Sequence, residues 1–398
     1  MAKTKILIFI DWFLPGYKAG GPVRSMANMV EYLKEEYDFY IITRDTDYTE
    51  TKPYEGIESN TWIHFQPGVR VFYADSEHQS RAIFKKLIDE VMPNVAYING
   101  VYSWKFSLLP MMICKKAALN KVIVATRGML AQSAIDVKGG KKKLFLMLVK
   151  LLGLYKNVVC HATNSSEEQD IRAVLGVRTK VCIADNLPKK NLPEKKAIDK
   201  HKGELKLVSL ARIAPEKNTL FALERLASLE DFEGSISFDL YGQIYNKDYW
   251  AQCQSVIHQL PANISVSYKG TVAAEQVGKT LQQYHALYMP TRGENFGHVI
   301  LESLSAGRPV LISDQTPWRE LEKDKSGWDL SLKFEPPIPI EGRQKPEVLY
   351  GWSQVLNRLL CMKQEELDSW CKGARNRAEE FVNNEGLSEA YRRLLLTP

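Results

Sequence analysis

The sequence contains no CxxC pair and no group of cysteines and histidines at metal-ligand spacing. Its six cysteines lie far apart, at Cys114, Cys160, Cys182, Cys253, Cys361 and Cys371. A structural zinc site and a disulfide framework are therefore disfavoured, and we expect the cysteines to be buried and reduced.

Long hydrophobic segments are also absent. The apolar run from Ile6 to Ile10 runs directly into Asp11 and Trp12. It is too short for the core of a signal peptide, and no stretch approaches the roughly 20 apolar residues of a membrane-spanning helix. These features predict a cytoplasmic protein.

The glycine spacing and the charge exclude two further classes of protein. Gly16, Gly20 and Gly21 do not fit GxGxxG, so a nicotinamide dehydrogenase is disfavoured. The net charge of +6 arises from 53 basic and 47 acidic residues. This balance suits nucleotide phosphates or acidic lipid as partners, but it is not typical of a nucleic-acid binder.

The alternation of short apolar runs with helical patterns is typical of parallel strands joined by crossover helices. A chain of 398 residues is long enough for two such domains. The predicted strands are Lys5–Ile10, Tyr40–Thr43, Val95–Ile98, Val122–Thr126 and Val158–Ala162, then Lys206–Ser209, Ser237–Tyr241, Ile264–Tyr268, Ala286–Met289 and Pro309–Ile312.

The lysine-rich stretch from Asp185 to Gly203 contains two prolines and little apolar content, which predicts an exposed connection between domains. We therefore predict Rossmann-like domains over 1–185 and 186–379. A helix within 380–398 has no sequence left to build its own core, so we expect it to cross back onto the first domain.

Two loops at predicted strand ends could bind anionic groups. Gly20 and Gly21 precede a predicted helix whose N-terminus would attract an anion; a plain glycine turn is the alternative. Arg212 and Lys217 follow the first strand of the second series, where they could neutralise a diphosphate; solvated surface charge is the alternative.

The most informative segment is GENFGHVILESLSAGRPV, from Gly293 to Val310. The backbone amides of Asn295, Phe296 and Gly297 can face phosphate oxygens. Glu294 lies in the loop and Glu302 on the following helix, where carboxylates could accept hydrogen bonds from sugar and ribose hydroxyls.

This segment resembles the signature of family-4 retaining glycosyltransferases with the GT-B fold, in which two Rossmann-like doubly wound parallel-sheet domains face a cleft. The resemblance extends over nearly the whole chain. It includes Arg212 with Lys217, the Gly20-Gly21 loop, DLYGQ at 239–243, VSYKG at 266–270, TRGML at 126–130 and HATNSSEEQDI at 161–171.

The resemblance implies a role for each matching residue. Arg212 and Lys217 would bind the donor diphosphate, Glu302 the ribose and Glu294 the transferred sugar. The remaining positions of the implied donor site are Gly20, Gly21, Arg127, Lys269, Gly270, Asn295, Phe296 and Gly297. Many relatives have a histidine where this chain has Arg127.

The implied reaction moves a sugar, with retention, from a nucleoside-diphosphate sugar to a hydroxyl of a glycan or lipid-linked glycan, without metal or cofactor. Charge stabilisation of the leaving diphosphate can supply most of the catalysis, so Glu294 need not be a nucleophile. The donor would sit mainly on the second domain, and the acceptor would enter from the first across a cleft that closes on binding. Cell-surface polysaccharide synthesis is the expected context. A sugar-nucleotide epimerase and a noncatalytic sugar-nucleotide-binding protein remain alternatives.

Other chemistry-bearing residues receive structural interpretations. Asp45 and Asp47 form a DTD sequence, but we expect a solvated loop rather than a metal site. We also expect His161 and His298 to have structural or capping roles.

The segment from Val137 to Lys156 contains six lysines and no acidic residue. Its leucines recur at helical spacing, as in a helix that lies on an anionic membrane, here at the inner membrane face. A core helix with a solvated basic end is the alternative.

Overall fold

The computed structural model describes residues 3–117, 119–131, 135, 139–229, 232–333 and 351–396. The chain divides into two compact units, one made of residues 1–190 and 384–398 and the other of residues 191–383. Each unit is built on a single sheet.

The first unit has an eight-stranded sheet in the order β3-β4-β2-β1-β5-β6-β7-β8. Its strands are β1 (Thr4–Phe9), β2 (Tyr37–Arg44), β3 (Trp62–Gln66), β4 (Val69–Ala74), β5 (Val95–Asn99), β6 (Lys121–Ala125), β7 (Val159–Ala162) and β8 (Lys180–Ile183). Its first helices are α1 (Gly21–Leu33), α2 (Arg81–Val91), a π-helical turn (Trp104–Leu108), α3 (Leu109–Lys116), α4 (Gly139–Leu151) and α5 (Ser165–Leu175).

The prediction that the strands are all parallel is wrong for the edge strand β3, which pairs antiparallel with β4. Only Pro67 and Gly68 separate the two strands, and a connection this short can join only antiparallel neighbours. Gly68 has a φ of +76°, and a Cβ there would lie 2.9 Å from the carbonyl oxygen of Lys34.

The second unit has a six-stranded sheet in the order β11-β10-β9-β12-β13-β14, with every pair parallel. Its strands are β9 (Glu204–Leu210), β10 (Ser235–Tyr241), β11 (Ile264–Tyr268), β12 (Ala286–Met289), β13 (Val310–Ser313) and β14 (Gly327–Leu330). Its helices are a 3₁₀ turn (Pro215–Lys217), α6 (Thr219–Ala227), α7 (Lys247–Ile257), α8 (Val277–Leu281), α9 (His298–Ser305), α10 (Trp352–Cys361) and α11 (Gln364–Val382).

Both faces of the second sheet are covered. Leu207 and Val208, neighbours in β9, are fully buried in two different hydrophobic clusters. Because successive strand residues point to opposite faces, the clusters lie on opposite sides of the sheet. The loops at the strand ends are therefore the places where a charged ligand can be met.

The last helix, α12 (Glu385–Leu396), belongs to the first unit. Tyr391 is fully buried, and its ring lies 5.3 Å from that of His161. Arg392 forms a 2.8 Å ion pair with Glu36. The helix is thus fixed by both apolar and ionic contacts.

The connection from Asp185 to Gly203 is exposed at many positions, but it is buried near its start and at Lys200. Asn186 and Leu187 are buried, and the carbonyl of Leu187 accepts a 2.8 Å hydrogen bond from Asn28. Lys200 is buried and donates to the carbonyl of Leu360. The prediction of an exposed segment is therefore wrong near the start of the connection and at Lys200.

The cysteines only partly match the expectation of burial. Cys114, Cys160 and Cys253 are buried, whereas Cys361 is exposed at the end of α10. Burial raises the pKa of the Cys160 thiol to about 12, so this thiol stays protonated.

Glu167, near the start of α5, is a buried carboxylate that joins three segments of the first unit. It accepts hydrogen bonds from the Thr126 hydroxyl, the Gly128 amide, and the amide and hydroxyl of Thr163. Burial alone would raise the pKa of Glu167, but these hydrogen bonds outweigh it and hold the pKa below its usual value. The loop after β6 is therefore tied to α5.

We expect Glu167→Gln to lower the free energy of unfolding of the first unit by about 2 kcal/mol, because the amide cannot accept four hydrogen bonds and places its own N–H groups against donors. Urea unfolding would measure the change. Glu168→Gln is the matched control, since its partly exposed carboxylate contacts only Arg172 among the described interactions of its side chain. Equal effects of the two substitutions would contradict the assignment.

Two buried histidines, one in each unit, are kept neutral mainly by burial and form similar hydrogen bonds. His161 Nε2 lies 2.7 Å from the carbonyl of Ala184 and His285 Nε2 3.0 Å from that of Asp199, so both nitrogens carry the proton and donate. Burial and the charge of Arg127 lower the pKa of His161 to about 3, and burial lowers the pKa of His285 to about 4.

As the pH falls, these histidines bind a proton in the unfolded chain before they do so in the folded chain. The neutral histidines therefore contribute their full stabilisation above about pH 6.5, and this contribution is lost as the pH falls toward 3 to 4. Urea midpoints measured between pH 8 and pH 5 should fall steadily below pH 6.5. Midpoints that stay constant over this range would overturn the assignment.

Candidate functional site

The candidate site of the second unit lies at the carboxyl ends of β9 and β12, which are neighbours in the sheet. The loop after β9 carries Arg212 and Lys217, and the loop after β12 carries Glu294. Parallel sheets with covered faces bind ligands at this edge.

Three hydrogen bonds join the two loops. The amide of Arg292 and the hydroxyl of Thr291 both donate to the carbonyl of Glu216, at 2.9 and 3.1 Å. Arg292 Nε donates to Asn218 Oδ1 at 3.1 Å. Asn218 itself has a φ of +61° and caps α6. The two loops therefore hold each other in position.

This arrangement brings Lys217 and Glu294 into a direct ion pair between Nζ and Oε1. Their side chains are only 16% and 14% exposed, so the pair is largely withdrawn from water. The amide of Glu294 also donates to the carbonyl of Gln315 at 3.0 Å. These residues are 77 positions apart in the sequence, and the fold brings their side chains into contact.

Arg212 is a more exposed cation beside this pair along the chain. Its side chain is 46% exposed, lies 3.4 Å from Glu216, and stacks 5.2 Å from the ring centroid of Tyr245. Glu216 and Tyr245 were not among the predicted site residues. No local signal identifies Tyr245, because its contact with Arg212 requires the folded β10–α7 loop.

The start of α9 is shaped by Gly297, which has a φ of +78° and precedes the helix that begins at His298. Phe296 is buried, and its carbonyl accepts a 2.6 Å hydrogen bond from the Trp318 indole. Its ring lies 4.8 Å from that of His298. His298 is thus the first residue of the helix and packs on the residue before Gly297.

Asn295 and Glu302 are both partly exposed. Asn295 lies in the loop with Glu294, and Glu302 lies in the middle of α9. The two predicted glutamates thus occupy separate elements, one beside Lys217 and the other on the helix.

Lys269 and Gly270 follow β11 at the same edge of the sheet. Lys269 lies 3.7 Å from Asp239, which also accepts a 2.7 Å hydrogen bond from the Tyr284 hydroxyl. Gly270 has a φ of +75°, and its carbonyl accepts from the Gly242 amide at 2.7 Å. Asp239 and Tyr284 were missed as site residues.

In the first unit, Gly20 has a φ of +74° and precedes α1, which begins at Gly21. A Cβ at Gly20 would meet nothing within 4 Å, so the backbone conformation, not crowding, requires glycine. The helix packs through an apolar face formed by the buried Met26, Met29, Val30 and Leu33.

The expectation that the DTD sequence lies in a solvated loop is wrong. Asp45 and Asp47 follow β2 as predicted, but both are buried. Asp47 accepts hydrogen bonds from the amides of Tyr17 and Lys18 at 3.1 and 3.3 Å, and Asp45 accepts one from the Ser59 hydroxyl at 2.9 Å. Asp47 therefore holds the loop that leads to Gly20.

Arg127 has a φ of +52° and a guanidinium with three partners inside the first unit. It donates to Asn99 at 2.8 Å, to Asn186 at 2.7 Å and to the Tyr97 hydroxyl at 2.9 Å. That hydroxyl in turn donates to His161 Nδ1 at 2.6 Å, because His161 Nε2 carries the proton. His161 is fully buried in this network, in keeping with a structural role.

Gly297 provides a test of the start of α9. We expect Gly297→Ala to destabilise the second unit by about 2 kcal/mol, because alanine is strained at positive φ and its Cβ is crowded. That Cβ would lie 2.6 Å from Cδ1 of the buried Ile300. Gly293→Ala is the control, since its Cβ would meet nothing within 4 Å. Similar urea midpoints for the two variants would contradict this account of Gly297.

Comparison with known proteins places this geometry in context. Residues 190–329 match the family model described as glycosyl transferases group 1. A search of curated proteins by sequence finds no match.

Solved structures match nearly the whole chain. Sucrose-phosphate synthase from Thermosynechococcus elongatus has a TM-score of 0.68 and 14% identity over 99% of both chains. Anabaena HepE in complex with UDP and glucose has a TM-score of 0.68 and 14% identity over 98% of both. WaaG, a glycosyltransferase involved in lipopolysaccharide biosynthesis, has a TM-score of 0.65 and 13% identity over 99% of this chain and 100% of its own.

These likenesses confirm the predicted GT-B fold of two parallel-sheet α/β domains. The chain therefore has the GT-B fold, and its second unit carries a segment that matches the glycosyl transferases group 1.

Proposed function

We propose that the protein is a retaining, family-4 type glycosyltransferase that uses a nucleoside-diphosphate sugar as donor. The observation that carries the proposal is the shielded Lys217–Glu294 pair, held by joined loops at the carboxyl ends of β9 and β12. The match of residues 190–329 to a glycosyltransferase family model supports it independently.

The cations of the site suit a leaving diphosphate. Lys217 uses one of its three N–H donors on Glu294, which leaves others to meet phosphate oxygens. Arg212 offers a planar, partly exposed guanidinium, and the start of α9 adds a partial positive charge. We propose that these groups stabilise the leaving group without a metal ion or cofactor.

The carboxylates have a different task. Glu294 is ion-paired, which lowers its nucleophilicity but leaves lone pairs to accept hydrogen bonds from sugar hydroxyls. We assign the transferred sugar to Glu294 and the ribose to Glu302. Since we assign no protein nucleophile, we attribute retention of the anomeric configuration to same-face attack. The acceptor hydroxyl attacks the sugar on the face from which the diphosphate leaves.

The remaining predicted donor-site residues keep their proposed roles. Asn295, Phe296 and Gly297 would present amides to the donor, and Lys269 with Gly270 would lie near its base. From the first unit, Gly20 and Gly21 would approach the donor through their backbone. Arg127 would act by positioning, since its guanidinium already has three partners within the unit.

The ligands bound in related structures indicate which donors to test first. HepE was solved with UDP-glucose, and a trehalose-6-phosphate protein from E. coli with UDP-2-fluoro glucose. We propose that a nucleoside-diphosphate hexose of this kind is the donor. The acceptor would be a glycan or lipid-linked glycan in cell-surface polysaccharide synthesis, met in the cytoplasm at the inner membrane face through residues 137–156.

A panel of nucleoside-diphosphate sugars, headed by UDP-glucose, would test the proposal. Binding to the folded protein should raise its unfolding temperature, and glycan acceptors should release nucleoside diphosphate. Isomerisation of the donor without an acceptor would indicate an epimerase. Donor binding without transfer to any acceptor would indicate a noncatalytic binding protein.

The two glutamates should respond differently to substitution. We expect Glu302→Ala to weaken nucleoside diphosphate binding about tenfold, through loss of the ribose contact. Glu294→Ala should not weaken that affinity, because it leaves the Lys217 cation unpaired for the diphosphate, but it should lower turnover about 100-fold, through loss of sugar positioning. Calorimetry and initial rates would separate the two effects.

Glu365→Ala supplies the control, because this residue is an exposed glutamate in the first turn of α11. It should change neither quantity. An equal loss of nucleoside diphosphate affinity in the Glu294 and Glu302 variants would refute the division of roles.

A further inference from the structure

Helix α4 has an exposed apolar face. Leu144, Met147, Leu148 and Leu151 recur at the spacing of one helix face, and their exposed fractions are 55%, 59%, 45% and 80%. Leu152, directly after the helix, is 68% exposed. We call these five residues the α4 apolar face.

The opposite side of the helix is already used for packing. Leu146 and Val149 are buried in the core of the first unit, and Phe145 packs against it. Just beyond the helix, the Tyr155 hydroxyl donates to the carbonyl of Val101 at 3.1 Å, and Lys115 donates to that of Leu154 at 2.9 Å. The helix therefore cannot rotate to bury its apolar face without breaking this packing.

Such a face is unusual on a protein surface. Single exposed apolar residues are ordinary, as Met92 and Val177 are elsewhere in this unit. Five large apolar side chains on consecutive turns form a contiguous patch, and patches of this kind are typical of interaction sites.

The charge around the patch identifies its partner. No acidic residue occurs between Asp136 and Glu167, whereas six lysines lie between 137 and 156. Among them, Lys150 and Lys156 are exposed beside the α4 apolar face, and Lys138 lies outside the described residues. A surface that is apolar at its centre and basic at its edges complements an anionic lipid bilayer.

We propose that α4 lies on an anionic membrane surface, with its apolar face among the acyl chains and with Lys150 and Lys156 at the lipid phosphates. The helix has 13 residues and is about 20 Å long. No helix within the described residues is long and apolar enough to cross a membrane. An orientation in the plane of the interface uses both the apolar face and the lysine stems, which can extend toward the headgroups.

A second copy of the chain fits the face less well. Symmetric pairing of two α4 helices would bring the lysines of both copies together with no acidic residue of the segment to offset them. Anionic lipid removes this repulsion. The inference does not depend on the proposed reaction, because membrane binding can be measured without donor or acceptor.

Sedimentation of the full-length protein with vesicles tests the proposal. Vesicles of phosphatidylglycerol and phosphatidylcholine should retain the protein at low salt, and pure phosphatidylcholine vesicles should retain much less. Leu148→Gln combined with Leu151→Gln should weaken binding at least about tenfold, through loss of buried apolar area. Lys150→Gln with Lys156→Gln should reduce the salt-sensitive part of the binding.

The control is Met92→Gln combined with Val177→Gln, which removes two residues that are 71% and 79% exposed in the same unit. It should bind like the wild type, and circular dichroism would confirm that all variants fold. Three results would overturn the proposal: no binding of the wild type to anionic vesicles, equal binding of the leucine double variant, or concentration-dependent dimers that this variant abolishes.

Discussion

The second unit depends on one constraint, which is that both faces of its parallel sheet are covered by apolar side chains. A charged ligand can then be met only at the strand ends, and the loops after the adjacent strands β9 and β12 carry the Lys217–Glu294 pair. The pair is mostly shielded from water, so its geometry must be good to offset desolvation. The bonds from Thr291 and Arg292 to Glu216 supply that geometry.

This shielding limits how a ligand can use the site. Removing Glu294 from Lys217 would leave two poorly hydrated charges, which is costly. A diphosphate is therefore better accommodated by adding to the pair than by replacing it, through the remaining N–H groups of Lys217 and the exposed guanidinium of Arg212. The sugar would then be placed beside Glu294 by the same cation that holds the phosphate.

All ten strands predicted from the sequence are present in the structure, and Ile264–Tyr268 and Ala286–Met289 are correct at both ends. It missed β3, β4, β8 and β14. Of these, β8 and β14 have four residues each, and β3 has no buried residue, so apolar periodicity offers little signal. β4 has five buried residues and had a readable pattern, so its omission was a failure of interpretation.

The candidate site was likewise predictable from the sequence only in part. Gly293 to Glu302 is one local segment, so its loop and helix could be predicted from spacing. The partners of its residues could not, because contacts such as Lys217 with Glu294 and Lys269 with Asp239 join distant parts of the chain. The error at Asp45 and Asp47 has the same origin, since their backbone and hydroxyl donors become neighbours only in the fold.

Helix α4 shows why composition and exposure must be combined. Leucine, methionine, phenylalanine and valine occupy almost every position from 144 to 152, so periodicity alone cannot say which side faces the core. The fold decides, because Leu146 and Val149 are buried in the core while Leu148 and Leu151 stay exposed. The exposed apolar face suits the proposed membrane contact, and the lysines of the segment suit a membrane with an anionic surface.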